Sequence, residues 1–197
     1  MIAIIDYNAG NVQSVMFALQ RIGVEAVLTN DIELIQKADK VIFPGVGEAS
    51  TTMTHLRKLG LTKVIPNLKQ PVLGICLGMQ LLCTYSEEGQ TDCLGVFPQR
   101  VIRFEPSLKV PHVGWNTVSN LKAPLFNSNL ENEYVYFVHS YYAAISEHTI
   151  ATTDYITPFS AALQKDNFYA VQFHPEKSGT IGEVILKNFI ELRSTKF

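Results

Sequence analysis

The chain has 197 residues, 47% of them hydrophobic, so it can bury one substantial core and its size suits a single domain. Its 16 basic residues nearly balance 18 acidic ones, which argues against binding to nucleic acid or to an anionic membrane. The start, MIAIIDYNAG, lacks a basic region and carries Asp6 after a short apolar run, so we expect neither a signal peptide nor a membrane span. The three cysteines match no pairing motif, which favours a reducing, cytoplasmic location.

The first half of the chain alternates short β-branched runs with helical stretches. Strands are predicted at 2–6, 25–29, 40–45 and 71–76, and helices from about 11, from about 31 and within about 49–69. Gly23 and Gly60 fall where helices should close, and Asn30-Asp31 precedes the second helix as a cap would. This alternation is typical of βαβ units on a parallel sheet.

The second half is predicted to be rich in strands, and its short connections favour antiparallel pairing. Strand-like runs lie near 95–104, 109–118, 134–144, 149–155, 160–166 and 168–174, before a closing helix at about 180–193. No repeat, low-complexity segment or linker-like stretch divides the chain, so residues 1–197 are interpreted as one domain. The predicted fold class is therefore α/β, with a mostly parallel central sheet flanked by helices and additional antiparallel strands in the second half.

Loops that leave the carboxyl ends of parallel strands meet at one edge of a sheet, where sites form. Three exits are therefore candidates: DYNAGN (6–11), PGVGEAS (44–50) and CLGMQ (76–80). In the third, Cys76 ends a buried run, and Gly74 and Gly78 flank it at the spacing of a nucleophile elbow, with sulfur in place of a serine oxygen. The free N–H groups and the dipole at a helix start favour a thiolate and can bind an oxyanion.

A nucleophilic thiol needs a base, because an isolated cysteine is usually a small buried hydrophobe, which is how Cys83 and Cys93 are interpreted. His174 closes the alternating run FYAVQFH and is followed by proline and Glu176. In an extended segment, residues i and i+2 point to the same side, so Glu176 would orient the imidazole while the ring takes the proton of Cys76.

Two further features accompany the candidate nucleophile. Gln80 follows Cys76 by about one helical turn on the same face, so its amide can reach a substrate beside the sulfur. PGVG (44–47) offers backbone N–H groups at the preceding strand exit, although by itself it is also compatible with a bare turn. No cysteine or histidine cluster has metal-ligand spacing, and we expect neither a metal ion nor a cofactor.

The segments GICLGMQ (74–80) and QFHPEKSG (172–179) together resemble the triad, or class I, glutamine amidotransferases. Within this family the chain is similar, over essentially its full length, to the glutaminase subunits of imidazole glycerol phosphate synthase. The segments that carry this closer resemblance are DYNAGN, PGVG, Met79, HVGWN (112–116) and FVHSYY (137–142). The resemblance implies a flavodoxin-like fold and the hydrolysis of L-glutamine.

The resemblance also implies a role for each matching residue. The nucleophile would be Cys76, the base and acid His174, and the orienting carboxylate Glu176. The oxyanion hole would comprise Gly45, Val46, Gly47 and the Leu77 amide; glutamine would be held by Gln80, Glu88, Ser140 and Tyr141; the partner surface would include Asn8, Trp115, Asn116 and Lys177. Glu87 remains a rival to Glu88, Trp115 also fits an ordinary core aromatic, and Lys177 fits a solvated lysine.

The implied chemistry is attack by Cys76 on the glutamine amide, release of ammonia through His174, and hydrolysis of a γ-glutamyl thioester to glutamate. The sequence has no Walker-type phosphate loop and no second unit, so the ammonia acceptor should bind to another chain. By resemblance that chain is a (β/α)8-barrel cyclase in a heterodimer. It would convert a ribulosyl formimino precursor into imidazole glycerol phosphate and aminoimidazole carboxamide ribotide, in L-histidine biosynthesis.

Three other interpretations stay open. The chain could serve a different synthase, such as one that makes anthranilate, guanylate or the vitamin B6 cofactor, although Met79 and HVGWN argue against this. It could be a cysteine peptidase or small-molecule hydrolase with a similar elbow. It could also be a non-catalytic subunit that kept the site, against which the intact Cys-His-Glu set argues.

Overall fold

The computed structural model describes residues 1–7 and 12–192. The first half contains, in order, β1 (Ile2–Ile5), α1 (Val12–Arg21), β2 (Ala26–Thr29), α2 (Ile32–Lys37), β3 (Lys40–Phe43), α3 (Ala49–Lys58), α4 (Leu61–Val64), β4 (Val72–Ile75) and α5 (Leu77–Leu82). The rest of the chain contains β5 (Tyr85–Ser86), β6 (Thr91–Asp92), β7 (Arg100–Arg103), β8 (His112–Thr117), β9 (Tyr134–His139), β10 (Tyr141–Ala143), β11 (Thr149–Tyr155), β12 (Thr157–Lys165), β13 (Phe168–Val171) and α6 (Gly179–Glu191). Short 3-10 turns lie at Ile65–Asn67, Glu88–Gln90, Ser128–Leu130 and Pro175–Lys177.

A seven-stranded sheet forms the centre of the fold, in the order β11-β12-β13-β4-β3-β1-β2. The five strands from β13 to β2 are parallel, whereas β12 runs antiparallel to β13 and β11 antiparallel to β12. A four-stranded sheet (β10-β7-β5-β6) and the two-stranded β8–β9 ribbon lie outside it. This arrangement confirms the predicted α/β class with antiparallel additions in the second half.

Four of the five parallel strands are covered on both faces, as in buried parallel sheets, whereas the edge strand β2 is partly exposed. Every residue of β1, β3, β4 and β13 is buried. Successive side chains of β1 enter opposite hydrophobic clusters: Ile4 packs with Val15 and Leu186 of α1 and α6, and Ile5 packs with Met53 of α3. Within the described residues, no helix combines the length and apolar character needed to cross a membrane.

Local sequence signals set several of the helix ends. The Asp31 carboxylate accepts hydrogen bonds from the Glu33 and Leu34 amides at 2.8 and 3.2 Å, which confirms the predicted cap of α2. Gly23 and Gly60 have φ angles of +77° and +73°, in the left-handed region that glycine adopts readily after a helix. The predicted helix closures at these glycines are therefore confirmed.

The largest differences from expectation lie around the last strand. The predicted alternating strand at 168–174 ends at Val171 and is buried throughout, because β13 lies inside the sheet between β4 and β12. The segment after it is not extended, since Pro175–Lys177 forms a 3-10 turn, and proline favours such a first-turn position. The predicted strand at 134–144 is divided into β9 and β10, and the short strands β5 and β6 were not predicted.

The start of α5 lies so close to β3 that a methyl group does not fit between them. A Cβ atom on Gly78 would lie 2.0 Å from the Phe43 carbonyl oxygen. We therefore expect Gly78→Ala to lower the free energy of unfolding by about 1–3 kcal/mol, the usual cost of overpacking. Urea denaturation measures this, with Gln36→Ala on the exposed face of α2 as a control that should change it by less than about 0.5 kcal/mol. Unchanged stability of Gly78→Ala would contradict the tight contact.

Candidate active site

Adjacent parallel strands bring the candidate nucleophile and base to the same edge of the sheet. Strands β4 and β13 pair in register, with Ile75 opposite Val171, and the Cys76 amide donates to the Val171 carbonyl at 2.8 Å. The chain after β13 therefore emerges beside Cys76, and His174 lies three residues beyond the strand. Two residues almost a hundred positions apart become neighbours through this pairing.

Cys76 occupies a sharp turn between β4 and α5. Its φ and ψ angles are 53° and −109°, a strained conformation for a residue other than glycine, at a typical cost of about 1–3 kcal/mol. The sulfur lies 3.7 Å from both the Val138 carbonyl oxygen and the Gln172 side-chain nitrogen. The turn has the form of the predicted nucleophile elbow.

His174 and Glu176 form a buried pair. The distance between His174 Nδ1 and Glu176 Oε1 is 2.7 Å, and the two side chains are only 4% and 1% exposed. The turn that carries them is held by Ser178, whose hydroxyl donates to the His174 carbonyl at 2.7 Å and accepts from the Tyr136 amide at 3.0 Å. The prediction that an extended segment creates this pair is wrong, since the 3-10 turn brings the carboxylate back to the ring.

The electrostatics of this pair keep a proton on the imidazole. Burial by itself lowers the pKa of His174, but hydrogen bonds and negative charge from Cys76 and Glu176 outweigh it and raise the pKa to about 10. Because this lies above the ordinary value of 6.5, the interaction stabilises the folded state fully below pH 6.5. That stabilisation is lost as the pH rises towards about 10.

A cavity of about 330 Å³ opens above the thiol. Most of the predicted catalytic, oxyanion and substrate residues line it: Val46, Gly47, Cys76, Leu77, Gln80, Glu88, Ser140, Tyr141 and His174, with Lys177. Gly45 instead packs against α5, where a Cβ atom would lie 2.4 Å from the Gly78 nitrogen. Across residues 1–7 and 12–192, no group of three or more histidine, cysteine or acidic side chains is placed to hold a metal ion.

The cavity separates the two rival glutamates. Glu88 lines it, accepts a hydrogen bond from the Ala49 amide at 2.9 Å, and has its pKa raised by burial. The Glu87 carboxylate accepts from the Arg103 amide at 2.8 Å and is not part of the cavity wall. Only Glu88 is therefore positioned to meet a ligand there.

Gln80 reaches the cavity wall but its amide nitrogen is already committed. It donates to the Tyr141 carbonyl at 2.9 Å and to Gln172 Oε1 at 3.0 Å. Gln80 thus supports the Tyr141 backbone as well as facing the cavity, a role that its helical position did not predict.

The residues predicted to face the partner lie in different environments. Trp115 is 55% exposed on the outer face of the β8–β9 ribbon, so the alternative that it is a core aromatic is wrong. Lys177 is exposed at the cavity rim. The Asn116 side chain belongs to the inner face and donates to the Asp154 carbonyl at 3.0 Å. Asn8 lies outside the described residues.

Two residues beside the site were not predicted from the sequence. Gln172 approaches the Cys76 sulfur, and a polar residue within an otherwise apolar buried run was a usable signal for it. The Tyr7 hydroxyl donates to the Pro44 carbonyl at 2.6 Å and so ties the end of β1 to the PGVG segment. No sequence pattern indicates that contact.

Comparison with known proteins defines the class. Residues 3–192 match the family model for glutamine amidotransferase class-I, so the chain belongs to that family. The crystal structure of a glutamine amidotransferase superposes with a TM-score of 0.76 at 19% identity, covering 97% of this chain and 98% of that one. The crystal structure of a putative GMP synthase component from Thermoplasma acidophilum superposes with a TM-score of 0.74 at 21% identity, covering 96% and 91%. These structures share the fold.

Sequence relatives define the subfamily. Imidazole glycerol phosphate synthase subunit HisH from Bacteroides fragilis (strain YCH46) is 64% identical over 97% of this chain and 99% of that protein. Subunit HisH from Pasteurella multocida (strain Pm70) is 49% identical over 96% and 97%. At this identity over nearly the full length of both chains, the subfamily is that of the HisH subunits. The chain is accordingly an enzyme of the glutamine amidotransferase type.

Removing the carboxylate beside the imidazole tests the electrostatics of the pair. In Glu176→Gln the pKa of His174 should fall, because a negative charge that favours the imidazolium is gone, and glutamine turnover should fall by about 10²-fold or more. A 15N NMR titration of labelled histidine measures the pKa. Glu87→Gln is the matched control, since that carboxylate lies elsewhere. A titration of His174 that is identical in Glu176→Gln and the wild type would contradict the assignment.

Proposed function

We propose that this chain is the glutaminase subunit of an imidazole glycerol phosphate synthase. It hydrolyses L-glutamine to glutamate and ammonia, and the ammonia passes to a cyclase subunit. The observation that carries this proposal is the Cys76 thiol on a strained elbow beside the buried His174–Glu176 pair, at the wall of an amino-acid-sized cavity. The 64% identity to a HisH subunit supports the choice of synthase.

The first chemical step follows from the raised pKa of His174. With the proton on the imidazole, Cys76 attacks the side-chain amide carbon of glutamine as a thiolate. The oxygen that becomes negative would be bound by the Leu77 amide and by a backbone N–H from the Gly45-Val46-Gly47 segment on the facing cavity wall. Loss of one such donor typically costs about 10²–10³ in turnover, so the position of this segment is an effective control point.

His174 then acts in both directions. As an imidazolium it gives its proton to the leaving nitrogen, which departs as ammonia and leaves a γ-glutamyl thioester on Cys76. As a neutral base it takes a proton from water, which attacks the thioester and releases glutamate. Glu176, at 2.7 Å from Nδ1, keeps Nε2 as the nitrogen that exchanges the proton.

The cavity also supports glutamine as the substrate. Its volume of about 330 Å³ is at the lower end of the range for ligand sites and suits a single amino acid. The half-buried Glu88 carboxylate can pair with the α-ammonium group, and Ser140, Tyr141 and Gln80 also line the cavity. This assigns the amino-acid end of glutamine to the part of the cavity lined by Glu88.

A second chain is needed to use the ammonia. We assign this role to a (β/α)8-barrel cyclase that forms a heterodimer with this chain and receives ammonia through an enclosed channel. The outer face of the β8–β9 ribbon is apolar and exposed, with Val113, Trp115 and Tyr134 at 53%, 55% and 58% exposure, and it lies next to Val138 at the cavity wall. Exposed apolar clusters of this kind mark interaction surfaces, and the exposed Lys177 would extend this one. Asn8 stays a predicted partner contact.

Two broader assignments accompany the proposal. Residues 1–197 would act as one amidotransferase domain, which the central sheet shared by both hydrophobic clusters supports. The location would be cytoplasmic, in keeping with three free cysteines.

Removing the Cys76 thiol separates the release of ammonia from glutamine from the synthesis that uses ammonia. Cys76→Ala should abolish glutamine-dependent synthesis in the complex but leave synthesis from added ammonia intact, because the cyclase site lies on the other chain. Cys93→Ala, which removes a half-buried thiol away from the cavity, should retain both activities. Loss of both activities in Cys76→Ala would indicate a structural thiol.

The wild-type chain, alone and with the cyclase, should also be assayed against glutamine, peptides and esters. Turnover of peptides or esters without turnover of glutamine would overturn the proposed function.

Truncating the exposed tryptophan tests the partner surface. Trp115→Ala should weaken the complex with the cyclase by about 10–100-fold in Kd, since buried tryptophans dominate interface energies. Isothermal titration calorimetry measures this. Phe17→Ala, at an equally exposed aromatic on α1, should bind like the wild type. Equal affinity of both variants would place the interface elsewhere.

A further inference from the structure

A pair of histidines lies near His174. His112 on β8 and His139 on β9 face each other in register, with His112 Nδ1 at 3.0 Å from His139 Nε2. Both are buried, at 4% and 5% exposure, and the His112 ring stacks on Tyr155 at 4.0 Å between ring centroids. The mechanism above assigns this pair no step, yet His139 lines the cavity.

The hydrogen-bond partners determine where every proton of this pair lies. His139 Nδ1 is 2.9 Å from the Tyr141 carbonyl oxygen, which can only accept, so Nδ1 carries the hydrogen. In a neutral ring, His139 Nε2 then carries no hydrogen and accepts the hydrogen bond between the two rings. The hydrogen of His112 must therefore be on Nδ1, which donates it. His112 Nε2 is in turn bare.

The bare nitrogen of His112 meets a donor. Asn116 Nδ2 lies 3.4 Å from His112 Nε2. The orientation of this amide is set by its other contacts, because the Thr117 amide donates to Asn116 Oδ1 at 2.8 Å and Nδ2 donates to the Asp154 carbonyl at 3.0 Å. In each hydrogen bond of the series from Asn116 to Tyr141, the donor is therefore on the ribbon side and the acceptor on the cavity side.

The pair also resists protonation. A further proton on either ring would set two N–H groups against each other or against the Asn116 amide. Burial lowers the pKa of His112 to about 4, and burial, with the nearby histidines, lowers that of His139 to about 3. Both rings therefore stay neutral and in one tautomer near neutral pH.

The chain of hydrogen bonds ends at residues proposed to hold glutamine. The Tyr141 carbonyl that accepts from His139 also accepts from Gln80 at 2.9 Å. Gln80 in turn donates to Gln172, whose side-chain nitrogen lies 3.7 Å from the Cys76 sulfur. One carbonyl is thus the junction between the ribbon and the cavity.

We propose that His112 and His139 are positioning residues that hold the Tyr141 carbonyl, and with it Gln80, for glutamine binding. The same pair connects this junction to Asn116 on the inner face of the ribbon whose outer face carries Trp115. A shift of the ribbon on partner binding would therefore reach the substrate site through the pair. The inference rests on the proposed glutaminase function, and its first test does not depend on activity.

The tautomers are measurable directly in the full chain. In 15N NMR of histidine-labelled wild-type protein at pH 7, both His112 and His139 should show a protonated Nδ1 and a bare Nε2. A protonated Nε2 on either ring would overturn the proposed arrangement, whatever the enzymatic activity.

Two substitutions at one position separate positioning from packing. In His139→Asn the amide nitrogen can occupy the place of Nδ1 and still donate to the Tyr141 carbonyl, whereas in His139→Gln it lies near the place of Nε2 and cannot. Both lose the ring. We expect the KM for glutamine to be about 5-fold higher in His139→Gln than in His139→Asn, the size of one buried hydrogen bond, with similar kcat. Equal KM values would overturn the role of the pair, whereas a wild type without glutaminase activity, alone or with the cyclase, would overturn the proposed function instead.

A substitution of Asn116, at the ribbon end of this series of hydrogen bonds, tests whether the ribbon is connected to the histidine pair. Asn116→Asp replaces the donor with a carboxylate that only accepts, so His112 Nε2 should become protonated in the NMR spectrum. An unchanged His112 spectrum would show that Asn116 does not control the pair and would remove the link to the ribbon.

Discussion

The pairing of β4 with β13 is the constraint on which the rest of the structure depends. Two strands that are distant in sequence lie side by side, and the Cys76 amide donates to the Val171 carbonyl at 2.8 Å. This pairing places the thiol and the imidazole of His174 at one edge of the sheet. A shift of one residue in the register of these strands would turn alternate side chains to the other face and separate Cys76 from His174.

The elbow of Cys76 stays in its strained conformation because its surroundings allow few alternatives. Gly45 and Gly78 let the segment after β3 approach the start of α5 within distances that a Cβ atom would forbid. The same approach places the candidate oxyanion segment opposite the Leu77 amide. Dense packing and the site geometry therefore have one cause, which explains how a cost of about 1–3 kcal/mol in backbone strain is tolerated.

The His174–Glu176 pair and the His112–His139 pair show how neighbouring groups determine the role of a buried imidazole. Hydrogen bonds and negative charge from Cys76 and Glu176 raise the pKa of His174, which favours the imidazolium and suits the ring to proton transfer. His112 and His139 have only neutral partners, so burial keeps them uncharged and their hydrogen bonds directional. The His174–Glu176 pair suits proton transfer, and the His112–His139 pair suits the positioning of backbone at the cavity.

The sequence by itself determined the βαβ alternation, the glycine-flanked Cys76 and the nearness of His174 to Glu176, because each is a local pattern of a few residues. Tertiary structure decided that Glu88 rather than Glu87 faces the cavity, that Trp115 is exposed, and that β13 lies inside the sheet. It also made the HPE segment a turn and joined His112 to His139. These outcomes depend on contacts between distant parts of the chain, since burial and hydrogen-bond partners are set only when separate strands pack together.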